Sequence, residues 1–349
     1  MVTVGVDAHK RTHTIVAVDE NGAEVGQRTV AATSAGHLEG LRWASQWPER
    51  RWAIEDCRHL SRRLTTELLV AGEAVLRVPT KLMAAARRGA RTRGKSDPID
   101  ALAAARAALR EPDLPVAQLD GPARDLRLLV DHREDLVAER TRIENRLRWH
   151  LHELQPGEEP PTRSLNRHAT LRALEATLAG QPGVVARLAR ELVVRCRDLT
   201  VAINALEREI CERVSGMAPR VLALLGCGAL SAAKIVGEVG RISRFRSRNA
   251  FAMHNGTAPI PVWSGNHERF RLNRGGNRQI NCALHRIAIT QMQRPGPAQD
   301  DLTRRRAAGD TKTEAIRALR RRISDEIYRR LRADEAAANT QLRDFLAAA

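Results

Sequence analysis

The chain has 349 residues, of which 58 are Lys or Arg and 41 are Asp or Glu, so its formal net charge is +17. This length favours more than one domain, and the positive charge favours a polyanionic partner, with nucleic acid the leading candidate. Five scattered cysteines without a C-x-x-C pair argue against a disulfide framework and against a zinc site. Because no apolar run approaches the ~18 residues of a membrane span and no signal peptide is evident, we expect a cytoplasmic protein without a membrane partner.

The first hundred residues predict a mixed sheet with helices on its faces. Three strand patterns come first, at residues 2–7, 12–19 and 24–30, and Asn21-Gly22 between the last two is a strong hairpin signal. Helical patterns at 34–45 and 60–71 then alternate with strand patterns at 51–55 and 74–78. Antiparallel strands followed by alternating helix and strand are typical of an α/β domain.

Acidic residues end two of these strands and begin the next helix. Asp7 and Glu55 stand at strand ends, where open α/β sheets bind ligands. Asp97 and Asp100 are three residues apart at a helix start, with Pro98 at the first helical position and Asp97 as the N-cap. Turn formation, capping and the helix dipole are the ordinary explanations for such acids.

A metal site is the sharper interpretation of the same four acids. Carboxylates that converge without cationic partners repel one another unless a cation lies among them. Their oxygens suit Mg²⁺ or Mn²⁺, and two such ions about 3.5–4 Å apart support in-line phosphoryl displacement. The pattern therefore predicts nuclease or transposase chemistry.

The middle of the chain contains a basic stretch and two long helical patterns. Arg87, Arg88 and Arg91 precede the diacidic helix and fit either a nucleic-acid contact or a surface loop. Residues 123–154 and 184–214 have the near-heptad spacing of coiled-coil helices. The spacing leaves open whether these helices pair within one chain or between two copies.

The second half contains two candidate DNA-binding segments. Gly226 and Gly228 lie between two helical patterns, which fits a helix-hairpin-helix that binds phosphate at a helix N-terminus, or an ordinary turn between helices. Ser264-Gly265 by itself is typical of a turn. It lies in a basic segment, however, whose candidates for substrate contact are Arg269, Arg271, Asn277 and Arg278. A nucleophilic serine needs a base or a metal, and His254 and His267 are the nearby histidines.

Three acidic motifs resemble the Asp-Glu-Asp-Asp pattern of the bacterial insertion sequence one-ten family of transposases. They are Gly5-Val6-Asp7-Ala8-His9-Lys10, Ile54-Glu55-Asp56-Cys57 and Lys95-Ser96-Asp97-Pro98-Ile99-Asp100-Ala101. The resemblance covers nearly the whole chain, because Ser264-Gly265 after Pro259 and Pro261 is similar to the serine segment of that family's C-terminal domain. Asp56 is an alternative to Glu55 as the second acid.

The resemblance implies an RNase H-like (RuvC-like) catalytic domain at 1–115, a helical coiled-coil connector at 116–215 and a mainly helical C-terminal transposase domain at 216–349. It implies that Asp7, Glu55, Asp97 and Asp100 bind Mg²⁺ or Mn²⁺ and that Ser264 joins covalently to DNA. It also implies a noncoding bridge RNA as guide, and a homo-oligomer, dimer or tetramer, in which the two domains combine across protomers.

Three other functions are weighed against a serine-linked transposase. A junction nuclease of the RNase H type would use the acidic residues alone, and a non-catalytic nucleic-acid scaffold would need neither the acids nor the serine. A tyrosine recombinase would have to use Tyr328, the sole tyrosine, which has no recognisable Arg/His set near it in the sequence.

Overall fold

The computed structural model describes residues 1–57, 59–80, 82–83, 96–111 and 113–348. By the packing of its backbone the chain divides into two compact units, Met1–Asp120 and Gly121–Ala349. The three-part division that the sequence suggests stays a prediction. Within the ranges just given, no helix is both long enough and apolar enough to cross a membrane.

The first unit is built on one five-stranded mixed sheet. Its strands are β1 (Val2–Ala8), β2 (Thr12–Val18), β3 (Glu24–Ala31), β4 (Arg50–Glu55) and β5 (Val75–Val78), in the order β3-β2-β1-β4-β5. The first three strands pair antiparallel, whereas β4 is parallel to both β1 and β5. Strands β1 and β2 are rich in small and β-branched residues and are buried almost throughout, as expected where both faces of a sheet are covered.

Helices cover both faces of this sheet. They are α1 (Ser34–Ala44), α2 (Arg62–Val70) and α3 (Asp97–Arg110). On one face Val6 and Ile54 pack with Leu68 of α2, and on the other face Ala53 packs with the alanines of α3. The predicted α/β class with a mixed sheet is confirmed for this unit, and each predicted strand and helix is present within a few residues of its expected bounds.

Helix α3 lies very close to β1, and Gly5 permits this approach. A Cβ atom at Gly5 would lie 2.7 Å from the backbone nitrogen of Ala105 and 2.8 Å from its Cβ, and closer still to the carbonyl oxygen of Ala101. Ala101 and Ala105 are themselves fully buried against β2. Because residues i and i+2 of a strand share a face, Asp7 lies on the same side of the sheet as Gly5 and α3.

A Gly5→Ala substitution is expected to destabilise the first unit strongly. The added methyl group would meet helix backbone, which cannot move aside as a flexible side chain does, so the loss should be at or above the upper end of the roughly 1–3 kcal/mol typical of overpacking. Urea unfolding followed by circular dichroism measures it. Gly180→Ala is the matched control, since a Cβ there meets nothing within 4 Å. Equal stability of the two variants would contradict this account of the packing.

A buried chain of hydrogen bonds joins β2, α1 and α2 on the other face of the sheet. His13 Nε2 lies 3.1 Å from His37 Nε2, and His37 Nδ1 lies 2.6 Å from the carboxylate of Glu67. Because a carboxylate only accepts, His37 donates from Nδ1 to Glu67, and one of the two Nε2 atoms donates to the other. Burial first, and then the proximity of His37, lowers the pKa of His13 to about 4.

The low pKa of His13 predicts a pH-dependent stability. Between pH 6.5 and 4 the unfolded chain binds a proton at this histidine that the folded chain does not, so stability falls as the pH is lowered through that window, by up to about 3 kcal/mol. In His13→Phe the fall measured by thermal unfolding across this range should be smaller. His132→Phe replaces an exposed histidine and should leave it as in the wild type. An unchanged slope in His13→Phe would refute the prediction.

Two long helices pair within the chain at the start of the second unit. They are α4 (Pro122–Leu154) and α6 (Val184–Met217), with α5 (His168–Ala179) packed against them. Side-chain contacts between the long helices run in opposite order along the chain, from Arg133 with Glu207 to Glu139 with Arg195. The helices are therefore antiparallel, and the pairing that the sequence left open is made within one chain.

The remaining elements are helices that pack on the end of this helical pair and a two-stranded hairpin between two of them. They are α7 (Pro219–Leu222), α8 (Ala229–Val239), a 3₁₀ turn (Ile242–Arg244), α9 (Arg248–His254), β6 (Ile260–Ser264), β7 (His267–Arg271), α10 (Arg278–Met292), α11 (Pro297–Ala307) and α12 (Lys312–Ala348). Leu126 of α4 and Ile210 of α6 share one core with Ile235, Phe251 and Ile287. The predicted mainly helical character of this part is confirmed, although the helix before Gly226 has only four residues.

Candidate functional site

Two acids and a histidine meet where β1 ends and α3 begins. Asp7 is 7% exposed, and its Oδ2 lies 2.9 Å from Nε2 of His9, which lies 3.4 Å from Oδ1 of Asp97. One potential ligand atom from each of the three residues lies within 4.8 Å of the others. The close packing of α3 at Gly5 brings the helix start to this strand end.

The pKa values of both Asp7 and His9 are shifted in this cluster. Burial raises the pKa of Asp7 above its ordinary value, the charges of Asp100 and Asp97 raise it further, and the hydrogen bond from His9 opposes them. The pKa of His9 is raised, chiefly by its hydrogen bond to Asp7. A protonated His9 would therefore bring a positive charge between the two acids.

Asp100 is 8% exposed and lies one turn into α3. Its influence on the pKa of Asp7 places it in the same electrostatic group as Asp97. The structure corrects one detail at the helix start: α3 begins at Asp97 itself, and Ser96, in extended conformation, is the N-cap residue. Asp97 therefore does not cap the helix, and its half-exposed carboxylate is turned toward His9.

Glu55 fits the site better than Asp56. Strand β4 is parallel to β1 in the register Val6 with Ile54, so the next residues along, Asp7 and Glu55, share the face that α3 covers. The Cys57 thiol has a raised pKa, first through burial and further through the charges of Glu55 and Asp7, so both acids lie near it. Asp56 follows the strand and forms an ion pair of 3.1 Å with Arg77.

These donors fit a divalent cation. Carboxylate oxygens are the ligands that Mg²⁺ and Mn²⁺ prefer, and the pKa of Asp7 is raised first by its burial and in smaller part by the charges of Asp100 and Asp97. Among the described residues only Asp7, His9 and Asp97 have ligand atoms that converge within 4.8 Å, and Glu55 and Asp100 are not part of that group. The predicted ligand set of Asp7, Glu55, Asp97 and Asp100 therefore stays a prediction. His9 is the residue that sequence reasoning missed as part of the cluster, and its one signal was its position two residues after Asp7.

The serine segment lies in the second unit, on a two-stranded hairpin. Strands β6 and β7 pair in the register Ser264 with His267, Val262 with Arg269 and Ile260 with Arg271. Directly opposite residues of antiparallel strands share a face, so Ser264, His267, Arg269 and Arg271 all lie on one face. All four are exposed. Gly265, with φ of 58°, begins the two-residue turn beside the serine.

The register of the hairpin favours one of the two histidines considered as bases. His267 stands opposite Ser264 in the register, where side chains are about 4.5–5.5 Å apart at Cβ. His254 ends α9 instead, with its ring 5.0 Å from that of Phe245. Burial and then the nearby Arg244 lower the pKa of His254 to about 4. His267 is therefore the candidate base.

Two of the predicted nucleic-acid contacts, Asn277 and Gly226, have structural roles in the fold. The side chain of Asn277 caps α10 and donates to Glu238 at 2.5 Å. Gly226 has φ of 81°, and a Cβ there would lie 3.1 Å from the carbonyl oxygen of Ile287, so a turn and a close approach explain this glycine.

Two other predicted contacts, Gly228 and Arg278, have open surroundings. Gly228 is the N-cap of α8 with open space around it, and Arg278 is exposed. Arg87, Arg88 and Arg91 lie outside the described residues.

Part of the positive charge of the last two helices is used internally. Asp301 of α11 is 5% exposed, and Arg304, Arg305 and Arg322 all form ion pairs with it. Despite its burial, the hydrogen bonds from Arg304 and Arg322 hold the pKa of Asp301 below its ordinary value. These arginines therefore stabilise the fold, and the net charge overstates the basic surface.

Removal of one acid is expected to abolish stabilisation by metal. Addition of Mg²⁺ or Mn²⁺ should raise the Tm of the wild type, by an amount that corresponds to about 2.7 kcal/mol at an ion concentration 100 times the Kd. Asp7→Asn should unfold at or above the wild-type Tm without metal, because an ionised Asp7 with a raised pKa is destabilising at pH 7. It should show no rise with metal. Glu24→Gln, an exposed acid, is the control.

Comparison with known proteins covers both units. Residues 4–156 match the IS110 DEDD family described as "Transposase", and residues 218–304 match the "Transposase IS116/IS110/IS902 family". The uncharacterized 44.8 kDa protein of insertion element IS116 of Streptomyces clavuligerus is 29% identical over 95% of this chain and 94% of its own. The uncharacterized 42 kDa protein of IS900 of Mycobacterium paratuberculosis is 27% identical over 95% and 96%.

Among solved structures, T. thermophilus RuvC in complex with a Holliday junction substrate aligns with 34% of this chain and 99% of its own, at 13% identity and a TM-score of 0.27. The family matches begin in β1 and extend into α11, so they include the acidic cluster and the serine hairpin. The chain belongs to the IS110 family of insertion-sequence transposases.

Proposed function

We propose that this transposase cleaves and rejoins DNA strands through a covalent link to Ser264. The observation that carries the proposal is the hairpin face on which Ser264 stands opposite His267, with Arg269 and Arg271 along the same strand. A nucleophile, a base and two cations are thereby presented on one exposed surface. Guanidinium groups bind phosphate in bidentate fashion and stabilise the charge that develops in phosphoryl transfer.

The serine step is a transesterification. His267 accepts the proton of Ser264 Oγ as that oxygen bonds to phosphorus, and the bond from phosphorus to one bridging deoxyribose oxygen breaks. The leaving oxygen takes up a proton and becomes a deoxyribose hydroxyl. Arg269 and Arg271 hold the non-bridging oxygens throughout. The reverse reaction with a hydroxyl of another strand restores a phosphodiester and frees the serine, so no external energy source is required.

The acidic cluster supplies the second part of the proposal. Asp7, Glu55, Asp97 and Asp100 would hold Mg²⁺ or Mn²⁺, which when bound acts as a Lewis acid on phosphodiester oxygens. The chain's own contribution is to fix these carboxylates, through the packing of α3 on β1, and to keep Asp7 buried. His9 Nε2 lies between the carboxylates of Asp7 and Asp97, and its hydrogen bond to Asp7 raises its pKa, which favours the protonated ring there.

The partners are DNA, as donor ends and target, a noncoding bridge RNA and further copies of the chain. The formal charge of +17 supports a nucleic-acid partner, even after the internal pairing of the arginines around Asp301. The bridge RNA and the oligomer, dimer or tetramer, rest on family membership, since no residue described above distinguishes RNA from DNA.

Ser264→Ala is expected to abolish the covalent intermediate. Full-length protein is incubated with Mg²⁺ and labelled DNA that carries the junction of the element with its flank, and a denaturing gel then detects any protein–DNA adduct. The wild type should form an adduct that peptide mass spectrometry maps to Ser264, and Ser264→Ala should form none and lose at least about 100-fold in strand exchange. Ser215→Ala, on an exposed serine of α6, should behave as the wild type.

Two outcomes would favour other functions. If Ser264→Ala still cleaves and recombines at a near-normal rate, the acids alone suffice and the protein acts as an RNase H-like junction nuclease. If Asp7→Asn and Asp100→Asn retain full function, neither acid is catalytic and a nucleic-acid scaffold becomes the better description.

A further inference from the structure

The face of the hairpin opposite the serine is exposed, and three of its four side chains are apolar; the fourth is Glu268, which stands opposite Trp263. Pro261 and Phe270 stand opposite each other in the register, and Trp263 is the diagonal neighbour of Phe270 on the same face. Trp263 is 65% exposed and Phe270 is 62% exposed. Aromatic residues make up only 3% of the sequence, so two of them side by side on one small exposed face are unusual in this chain.

The hairpin obtains little support from the rest of its unit. Strand β7 is exposed over all five residues, and β6 is buried at none of its positions. Among the described elements these two strands pack chiefly against each other. An isolated two-stranded hairpin is marginally stable in water, and an exposed Trp and Phe on it are not explained by packing.

We propose that Pro261, Trp263 and Phe270 form a stacking platform for unpaired bases of DNA next to the phosphodiester that Ser264 attacks. This inference rests on the proposed function, because Trp263 is adjacent to Ser264 and alternate residues of a strand point to opposite faces. The arginine face binds the sugar–phosphate backbone while the aromatic face holds bases that have left the duplex. Such a combination of cationic and aromatic side chains is typical of single-strand binding.

The charge of the hairpin and the size of the platform favour nucleic acid over a protein partner. Glu268 is the one charged residue on the platform face, whereas Arg269 and Arg271 lie on the reverse face and Arg274 follows β7. The cations outnumber the acid, so a polyanion is attracted to the hairpin from its serine side. Two aromatic side chains bury about 150–250 Å² each, which with one proline stays below the roughly 800 Å² per partner of a stable protein interface. One or two stacked bases match this area.

The test measures the affinity of the full-length protein for a fluorescein-labelled 20-nucleotide oligothymidylate by fluorescence anisotropy. Trp263→Ala should weaken binding roughly 5- to 100-fold, and Phe270→Ala should weaken it in the same direction, since base stacking contributes on this scale. Trp263→Phe should stay within about 3-fold of the wild type, because any aromatic ring offers a stacking face. Trp149→Ala removes a tryptophan that is 74% exposed on α4 and should bind as the wild type does.

Salt dependence separates stacking from charge. Trp263→Ala should leave the slope of log K against log salt unchanged, whereas Arg271→Ala should reduce its magnitude by about 0.7 for one lost phosphate contact on a single strand. A blunt 20-base-pair duplex should bind Trp263→Ala as well as it binds the wild type. Thermal unfolding of Trp263→Ala should match that of the wild type, since the side chain is exposed.

Three results would overturn the inference. The first is wild-type affinity of Trp263→Ala for the single strand, the second is an equal loss on the duplex, and the third is a changed oligomeric state with unchanged affinity for DNA. The adduct assay at Ser264 keeps the two proposals apart. If Trp263→Ala binds normally while wild-type adduct forms, only the platform is refuted; if Trp263→Ala loses affinity while no adduct forms in any protein, only the serine mechanism is refuted.

Discussion

The contact between α3 and β1 at Gly5 is the constraint on which the acidic cluster depends. A helix with alanines on its inner face lies so close to the strand that no Cβ fits between them. The helix start therefore reaches the strand end, and Asp97 comes to His9 and Asp7. Packing thus holds Asp7 and Asp97 close together, and the pKa of Asp7 is raised, chiefly by burial and in smaller part by the charges of Asp100 and Asp97. A bound cation would favour the ionised form of Asp7, so the packing that buries this carboxylate would also prepare the site.

Most of the strands and helices of the first unit could be predicted from the sequence. Periodicity located the strands and helices, and the rule that ligands bind at strand ends selected Asp7 and Glu55. The sequence alone did not show whether Glu55 or Asp56 is the second acid. That choice depends on the register of β4 against β1 and on the Arg77 side chain. The N-cap was misplaced by one residue at Asp97, a position that Pro98 does not fix. His9 was missed because its role comes from α3, which is distant in sequence.

The second unit was harder to predict because its candidate site lies on a β-hairpin that the amino-acid composition of the segment does not indicate. Prolines and glycines around Ser264 indicated a turn, and the strands on either side were not predicted. Pro261 is compatible with β6 because a strand of a two-stranded hairpin has one free edge. The register of the hairpin divides the predicted nucleic-acid contacts into two groups. Arg269 and Arg271 share the serine face, whereas Asn277 is engaged with Glu238 and the start of α10.

Under the two proposals, the hairpin would restrict an exposed nucleophilic serine to DNA that has unpaired bases. Ser264 is carried by an element with little packing of its own, and its two faces offer different chemistry to a single polyanion. Fully base-paired DNA can contact the arginine face, but the aromatic face then stays exposed to water. DNA with unpaired bases can satisfy both, and the added stacking then orders the hairpin around the phosphodiester. Under the two proposals, reactivity follows strand opening, because the contacts that hold the nucleophile in place become complete only on the opened strand.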